Sequence, residues 1–196
     1  MLTDANAAIA PGSFVVIAGP NGAGKSTLAR LMAGLLDPSQ GRVLIDGADM
    51  AAEPVDERHR RVLYVPQFVG LFNRSLRDNA LYPPTRQSEA DLAALLAGWG
   101  FYEGGRAIDF DQAVGEQGER LSGGQIQKLE LARLLGVSVP AIILDETTSS
   151  LDAPSETRAI HALCERHRDR TTLILITHRP GCSTMRTRSC SCAAVD

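Results

Sequence analysis

One stretch constrains this chain more than any other: Phe14-Val15-Val16-Ile17-Ala18 runs straight into Gly19-Pro20-Asn21-Gly22-Ala23-Gly24-Lys25-Ser26-Thr27. The apolar run reads as a short strand, and Lys25 to Leu36 carry a helical periodicity that stops before Asp37-Pro38. Strand, tight glycine loop and helix, in that order, open a parallel α/β unit. The loop fits G-x-x-x-x-G-K-[ST], in which glycines let the backbone curl so that successive N–H groups face an anion at the positive end of the next helix. Gly19, Asn21, Gly22, Gly24, Lys25, Ser26 and Thr27 are therefore candidates for holding the phosphates of a nucleotide. Lys25 can neutralise β- and γ-oxygens, and the Ser26 hydroxyl can ligate Mg²⁺.

The rest of the chain continues the alternation. Arg42 to Ile45 reads as a strand closed by an Asp46-Gly47 turn, and Arg61 to Val65 as another before Pro66. Helical patterns follow over Ser88–Ala97 and Ser122–Gly136, then a buried strand over Ala141–Leu144, a helix over Ser155–His167 and a strand over Thr172–Ile176. Strands alternating with helices predict a mostly parallel sheet covered on both faces. The mainly helical interruption from Asn79 to Gly136 predicts a separate lobe.

Asp145 and Glu146 directly follow the strand Ala141–Leu144, at the carboxyl end where parallel sheets bind ligands. Acids often follow apolar strands merely because the chain emerges into solvent there. Beside a phosphate loop, the chemical reading is stronger. Asp145 would partner Mg²⁺, through a water, and Glu146 would polarise an attacking water as general base.

Composition narrows the alternatives. The 196 residues suffice for one domain, and a formal net charge of −3 gives no nucleic-acid or anionic-lipid footprint. No apolar run reaches the roughly 18 residues of a membrane span. Met1–Ala10 carry Asp4 and no basic cluster, unlike a secretory leader. Of the four cysteines, Cys164 sits in a helical pattern, and Cys182, Cys190 and Cys192 crowd the end without a paired histidine cluster. A reducing, cytosolic setting is the expectation.

Leu121-Ser122-Gly123-Gly124-Gln125 opens the helical pattern from Ile126. A serine followed by two glycines at a helix start exposes N–H groups and a hydroxyl, although the same residues would also make a simple N-cap. Together with the phosphate loop and the Asp145-Glu146 pair, this pentapeptide is where a family comes into view. From about Ile9 to Arg179 the sequence resembles the nucleotide-binding domains of ABC ATPases. Tyr64-Val65-Pro66-Gln67 resembles the family's Q-loop, Ser149-Ser150-Leu151-Asp152 its D-loop and Ile176-Thr177-His178 its switch histidine, all in the family's order.

The resemblance implies an α/β fold: a P-loop NTPase core with a mostly parallel sheet flanked by helices, plus an ABC-type helical lobe. It places the ATPase domain at 1–180, with its core at 1–78 and 137–180 and its lobe at 79–136. It also implies roles. Gln67 would complete the Mg²⁺ shell, and His178 would hold the γ-phosphate and the attacking water. Ser122, Gly123, Gly124 and Gln125 would cap ATP held by a second ABC ATPase domain, in a head-to-tail dimer whose two sites Asp152 helps couple. The implied activity is ATP hydrolysis powering solute transport, at the cytoplasmic face of a membrane and beside a transmembrane transporter domain. Nucleic acid is not an implied partner. Phe72–Asn79 and Val114-Gly115-Glu116-Gln117-Gly118 resemble the exporter branch, where such segments meet the membrane domain and that domain is commonly fused upstream.

Two departures from the family pattern stand out. The only aromatic residue before Gly19 is Phe14, in the strand itself, so adenine stacking is not supplied and weak nucleotide affinity is expected. After His178 the sequence turns polar, with Arg186-Thr187-Arg188-Ser189-Cys190-Ser191-Cys192 where the family has an apolar strand. TCN serine and TGY cysteine codons read two bases later yield only Phe, Leu, Ile, Val or Met. Residues 181–196 are thus either a frameshifted terminus or a natural disordered tail. A soluble ABC ATPase acting on nucleic acid or the ribosome, or a non-catalytic remnant, are the competing functions. The first would typically add long insertions and basic surfaces, and neither is visible.

Overall fold

Val15 and Ile17 project to one face of strand β1 (Phe14–Ala18), Phe14 and Val16 to the other, and all four are buried. That is the signature of a strand inside a sheet covered on both sides. The computed structural model describes residues 5–68, 70–82, 87–178 and 190–194 of the chain. The expectations attached to Asp4, Arg179, Cys182 and Arg186–Ser189 lie outside the described residues. The described residues fall into two units, Met1–Gln67 with Ser138–Glu146 and His167–Asp196, and Phe68–Val137 with Thr147–Arg166.

The first unit carries a five-stranded parallel sheet in the order β4 (Val62–Val65), β5 (Ala141–Asp145), β6 (Thr172–Thr177), β1, β7 (Cys190–Ala194). Register sets Val15 opposite Ile174, Ile17 opposite Ile176 and Ile143 opposite Ile174. These isoleucines and valines share one face with Ala29 and Ala33, where they form the unit's core with Met50 and Val62. The opposite face, from Phe14, Val16, Ile142, Leu144, Leu173 and Leu175, is equally buried. Apolar side chains on both faces are what a central parallel strand requires.

Strand β7 lies inside the stretch that reads from sequence as either a frameshifted terminus or a disordered tail. Its backbone pairs with β1 from Phe14↔Cys190 to Ala18↔Ala194. A ladder of this kind is made by N–H and C=O groups, so an edge strand can form without an apolar pattern to announce it.

Helix α1 spans Lys25–Met32, shorter than the periodicity to Leu36 predicts. The chain turns at Gly34, whose φ of 67° is left-handed, and the N–H groups of Leu35 and Leu36 both return to Arg30 O. Leu35 and Leu36 are therefore outside the helix and half exposed, so the apolar pattern overruns the true end. The strand expected over Arg42–Ile45 is likewise only β2 (Leu44–Ile45), paired antiparallel with β3 (Ala48–Asp49) across the Asp46-Gly47 turn. Helix α2 (Val55–Arg61) runs directly into β4. Arg58 stitches this region together by donating to Gly34 O, Ala51 O, Glu53 O and the Asp37 carboxylate.

The second unit is mainly helical: α3 (Leu76–Ala80), α4 (Glu89–Gly98), α5 (Gly123–Leu134) and α6 (Ala153–His167), whose last residue falls in the first unit. Ser75, Ser88 and Ser122 are N-caps, the last two in capping boxes with Asp91 and Gln125. Thr147 is 2% exposed and its hydroxyl has no partner among the described residues. An unsatisfied buried hydroxyl costs about 1–3 kcal/mol, so Thr147→Val, which keeps the shape, is expected to raise stability by about 1 kcal/mol in urea unfolding.

Candidate active site

Helix α1 begins where a helix is least satisfied. Its N-cap is Gly24, with φ 85° and no side chain to accept a bond, and its first turn holds no acidic residue. The N–H groups of Lys25, Ser26 and Thr27 have no acceptor among the described residues. Helices α4 and α5 each spend a serine at the N-cap, and α6 an aspartate. Left-handed Gly24 aims the backbone so that these donors and the helix dipole face one spot. Asn21, Gly22, Gly24, Lys25, Ser26, Thr27 and Glu146 line a cavity of about 280 Å³ at that spot. Lys25 is 5% exposed, and its ammonium donates to Gly19 O at 2.9 Å and Pro20 O at 2.8 Å. Those carbonyls hold the cation in the mouth of the cradle, and phosphate oxygens can take their place.

The carboxylates arrive from β5. Asp145 is 4% exposed with both oxygens engaged: Ser26 Oγ donates to Oδ1 at 3.1 Å, and Tyr64 Oη to Oδ2 at 2.8 Å. Tyr64 belongs to β4, next to β5 in the sheet, so its phenol reaches the carboxylate laterally. Burial and the bond to Asp145 raise the Tyr64 pKa, against the opposing pull of Arg30, which keeps the phenol a donor. In the sequence Tyr64 is visible only as part of the Tyr64–Gln67 motif; its signal is a phenol in a strand of otherwise aliphatic residues.

Glu146 has φ 55°, in the left-handed region that a glutamate rarely adopts. Its N–H is fixed to Ile176 O at 3.0 Å, so the sheet itself holds the strained backbone. The side chain is thereby turned toward two other predicted residues. Gln67 Nε2 donates to Glu146 Oε2 at 3.3 Å, and His178 Nδ1 lies 3.6 Å from the same oxygen. The structure thus brings Lys25, Ser26, Gln67, Asp145, Glu146 and His178 together within the first unit.

The donors suit a magnesium nucleotide. Among the described residues no cluster of three or more His, Cys, Asp or Glu could hold a metal by itself. The adjacent Ser26 hydroxyl and Asp145 carboxylate are the sparse oxygen set with which Mg²⁺ is bound when phosphates complete its shell.

Ser122, Gly123, Gly124, Gln125 and Asp152 belong to the second unit. Ser122 Oγ accepts from Gln125 N at 3.2 Å and Gln125 Oε1 from Ser122 N at 2.8 Å, so this serine does act as a helix cap. Gln125 Nε2 also donates to Phe101 O at 2.9 Å. The N–H groups of Gly123 and Gly124 have no acceptor among the described residues. Asp152 caps α6 by accepting from Ser155 N at 2.9 Å, and bonds from the Ser155 hydroxyl and N–H lower its pKa.

The two segments that resemble exporters are joined within this unit. Val114 N donates to Arg74 O at 3.0 Å, and Ser75 bridges Ala113. Asn79, fully buried, bonds Phe72 N, Phe72 O and Ser75 O, which shapes the first segment. Phe72 (46% exposed) and Tyr82 (51%) meet edge to face at 4.9 Å, and Phe68 is 85% exposed.

The chain is similar to proteins already known. A sequence profile of the family described as ABC transporter matches residues 2–149. An ATP-dependent lipid A-core flippase of Burkholderia thailandensis is 39% identical over 180 residues, 91% of this chain and 30% of that protein. A beta-(1→2)glucan export ATP-binding/permease protein of Agrobacterium vitis is 38% identical over 179 residues, again covering 90% of this chain and 30% of its own length. A solved structure of a bacterial Atm1-family ABC exporter with ATP bound superposes with a TM-score of 0.75 at 38% identity, covering 87% of this chain and 30% of that one. The chain spans about 30% of the length of these relatives. The uncapped helix start, the paired carboxylates and a profile match over most of its length have one explanation: the chain belongs to the ABC transporter family.

Proposed function

We propose that this chain binds ATP with Mg²⁺ and hydrolyses it as the nucleotide-binding domain of an exporter-like transporter. The observation that carries the reading is the cavity on which the Lys25–Thr27 helix start, the buried Lys25 ammonium and Glu146 converge. The N–H groups of the loop and Lys25 hold the phosphate chain. Ser26, Asp145 and Gln67 hold Mg²⁺, which offsets the charge of the β- and γ-phosphates. Glu146 takes the proton of the attacking water, and His178, beside it, orients that water. Tyr64 and Ser26 fix the Asp145 carboxylate by a bond to each oxygen.

The reading extends to partners. Ser122, Gly123, Gly124 and Gln125 cap the nucleotide of a second ABC ATPase domain in a head-to-tail dimer, and Asp152 couples the two sites. Exposed Phe68 and the edge-to-face pair of exposed Phe72 and Tyr82, beside the exporter-like segments, dock on a transmembrane domain. No helix among the described residues is long and apolar enough to cross a membrane. In this reading the domain works at the cytoplasmic face of a membrane, beside membrane-spanning segments of a transporter domain. Lys25→Ala is the test of the cradle. It is expected to weaken binding of a fluorescent ATP analogue at least about tenfold, since a charge-assisted contact in a buried site is lost. Unchanged affinity would remove the loop from its role.

A further inference from the structure

Gln127 lies two residues beyond the Leu121–Gln125 motif and is 8% exposed. Nothing in the chemistry above uses it. Both the nitrogen and the oxygen of its amide nevertheless bond one loop: Nε2 donates to Ser149 Oγ at 3.1 Å, and Oε1 accepts from Ser150 N at 2.8 Å. One side chain on α5 thus grips two successive residues of the segment that ends in Asp152. A second contact runs along the same seam. A Cβ placed on Gly124 would stand 3.2 Å from Ser150 O, and one on Gly123 3.2 Å from Ser150 Oγ. The glycines at the start of α5 leave room for this loop to lie against the helix.

We infer that Gln127 is a positioning residue that clips the Ser149–Asp152 loop to the first turn of α5, so that the residues offered to a neighbouring domain's nucleotide and the residues coupling the sites move as one body. The inference rests on the head-to-tail reading proposed above. Its physical basis is that a buried primary amide with both ends satisfied has one orientation, and the loop backbone it holds has one position. Without that clip, the loop loses its two hydrogen bonds to the Gln127 amide, and a capping surface that must meet a partner in one geometry loses its preorganisation.

The test uses the whole chain in the Glu146→Gln background, which slows turnover so that ATP-driven association can be read by analytical ultracentrifugation. Gln127→Met removes donor and acceptor at nearly constant volume. It is expected to bind the fluorescent ATP analogue as the parent does, to weaken ATP-driven dimerisation by about tenfold, and to speed amide exchange over residues 148–152 by about tenfold. Gln127→Glu keeps an acceptor for Ser150 N and another for the Ser149 hydroxyl, so it is expected to restore most of the association. A simple packing role would lower the unfolding midpoint of both variants without separating them in association. Normal dimerisation of Gln127→Met, or equal loss in both variants, overturns the inference. If the parent itself fails to dimerise with ATP, the head-to-tail reading falls instead, and amide exchange alone decides the clip: unchanged exchange in Gln127→Met overturns it.

Discussion

Glu146→Gln is expected to lower the rate of ATP hydrolysis by about 10²–10⁴-fold, the usual contribution of a positioned general base. ATP binding should stay within about twofold of the unaltered protein, because the substitution removes an interaction used in the reaction and not in the ground state. The amide keeps the shape that meets Gln67 and His178 but cannot take a proton. Steady-state phosphate release beside nucleotide binding separates the two effects, and hydrolysis that survives would take Glu146 out of its role. The backbone adds a second expectation of opposite sign. Glu146 sits at φ 55°, where a residue with a side chain is disfavoured by about 1–2 kcal/mol. Asparagine tolerates that region, so Glu146→Asn should abolish hydrolysis and yet stabilise the fold by up to about 1 kcal/mol in urea unfolding. A loss of activity with a gain in stability is the mark of strain kept for function.

Arg133→Met is expected to destabilise the helical unit by about 3–5 kcal/mol near pH 8, because it leaves a buried carboxylate unpaired. Arg133 and Glu130 meet at 2.8 Å with side chains only 10% and 13% exposed, and Arg133 Nε is committed to Tyr82 O at 2.7 Å. Burial raises the Glu130 pKa, and Arg133 pulls it back down. Removing the arginine therefore moves it further up. A carboxyl with a raised folded-state pKa holds a proton that the unfolded chain has already released. Its stabilising share is complete below the unfolded value and is lost as pH rises through the folded one. The defect in Arg133→Met should accordingly be smaller at pH 5 than at pH 8. Arg133→Met with Glu130→Gln should recover most of the loss at pH 8. Urea unfolding of the three proteins at both pH values checks this, and a defect independent of pH would remove Glu130 as its cause.

The strands Val62–Val65, Ala141–Asp145 and Thr172–Thr177 were legible in the sequence because aliphatic runs bounded by turn residues have few other ways to be buried. The end of α1 was not, because Leu35 and Leu36 continue the apolar pattern after Gly34 has turned the chain. Strand β7 was not legible either, since backbone pairing at an edge asks nothing of the side chains. In the site, spacing marked Lys25, Ser26, Asp145 and Glu146. The Tyr64 bond to Asp145 and the left-handed Glu146 were invisible, because both arise from neighbours 81 residues away or on another strand.

By itself, the sequence determined the order of the elements and the chemistry of the phosphate loop, the acidic pair and the serine-glycine helix start. Those features are local: a few residues in fixed spacing decide which backbone conformations and which charges are available. Only the tertiary structure decided which side chains meet. Parallel pairing of β4 with β5 put a phenol on Asp145, pairing of β5 with β6 turned Glu146 toward His178, and the fold of Ser149–Ser150 against α5 gave Gln127 its work. Such contacts join residues far apart along the chain, and their positions follow from sheet order and packing, which no short window of sequence contains.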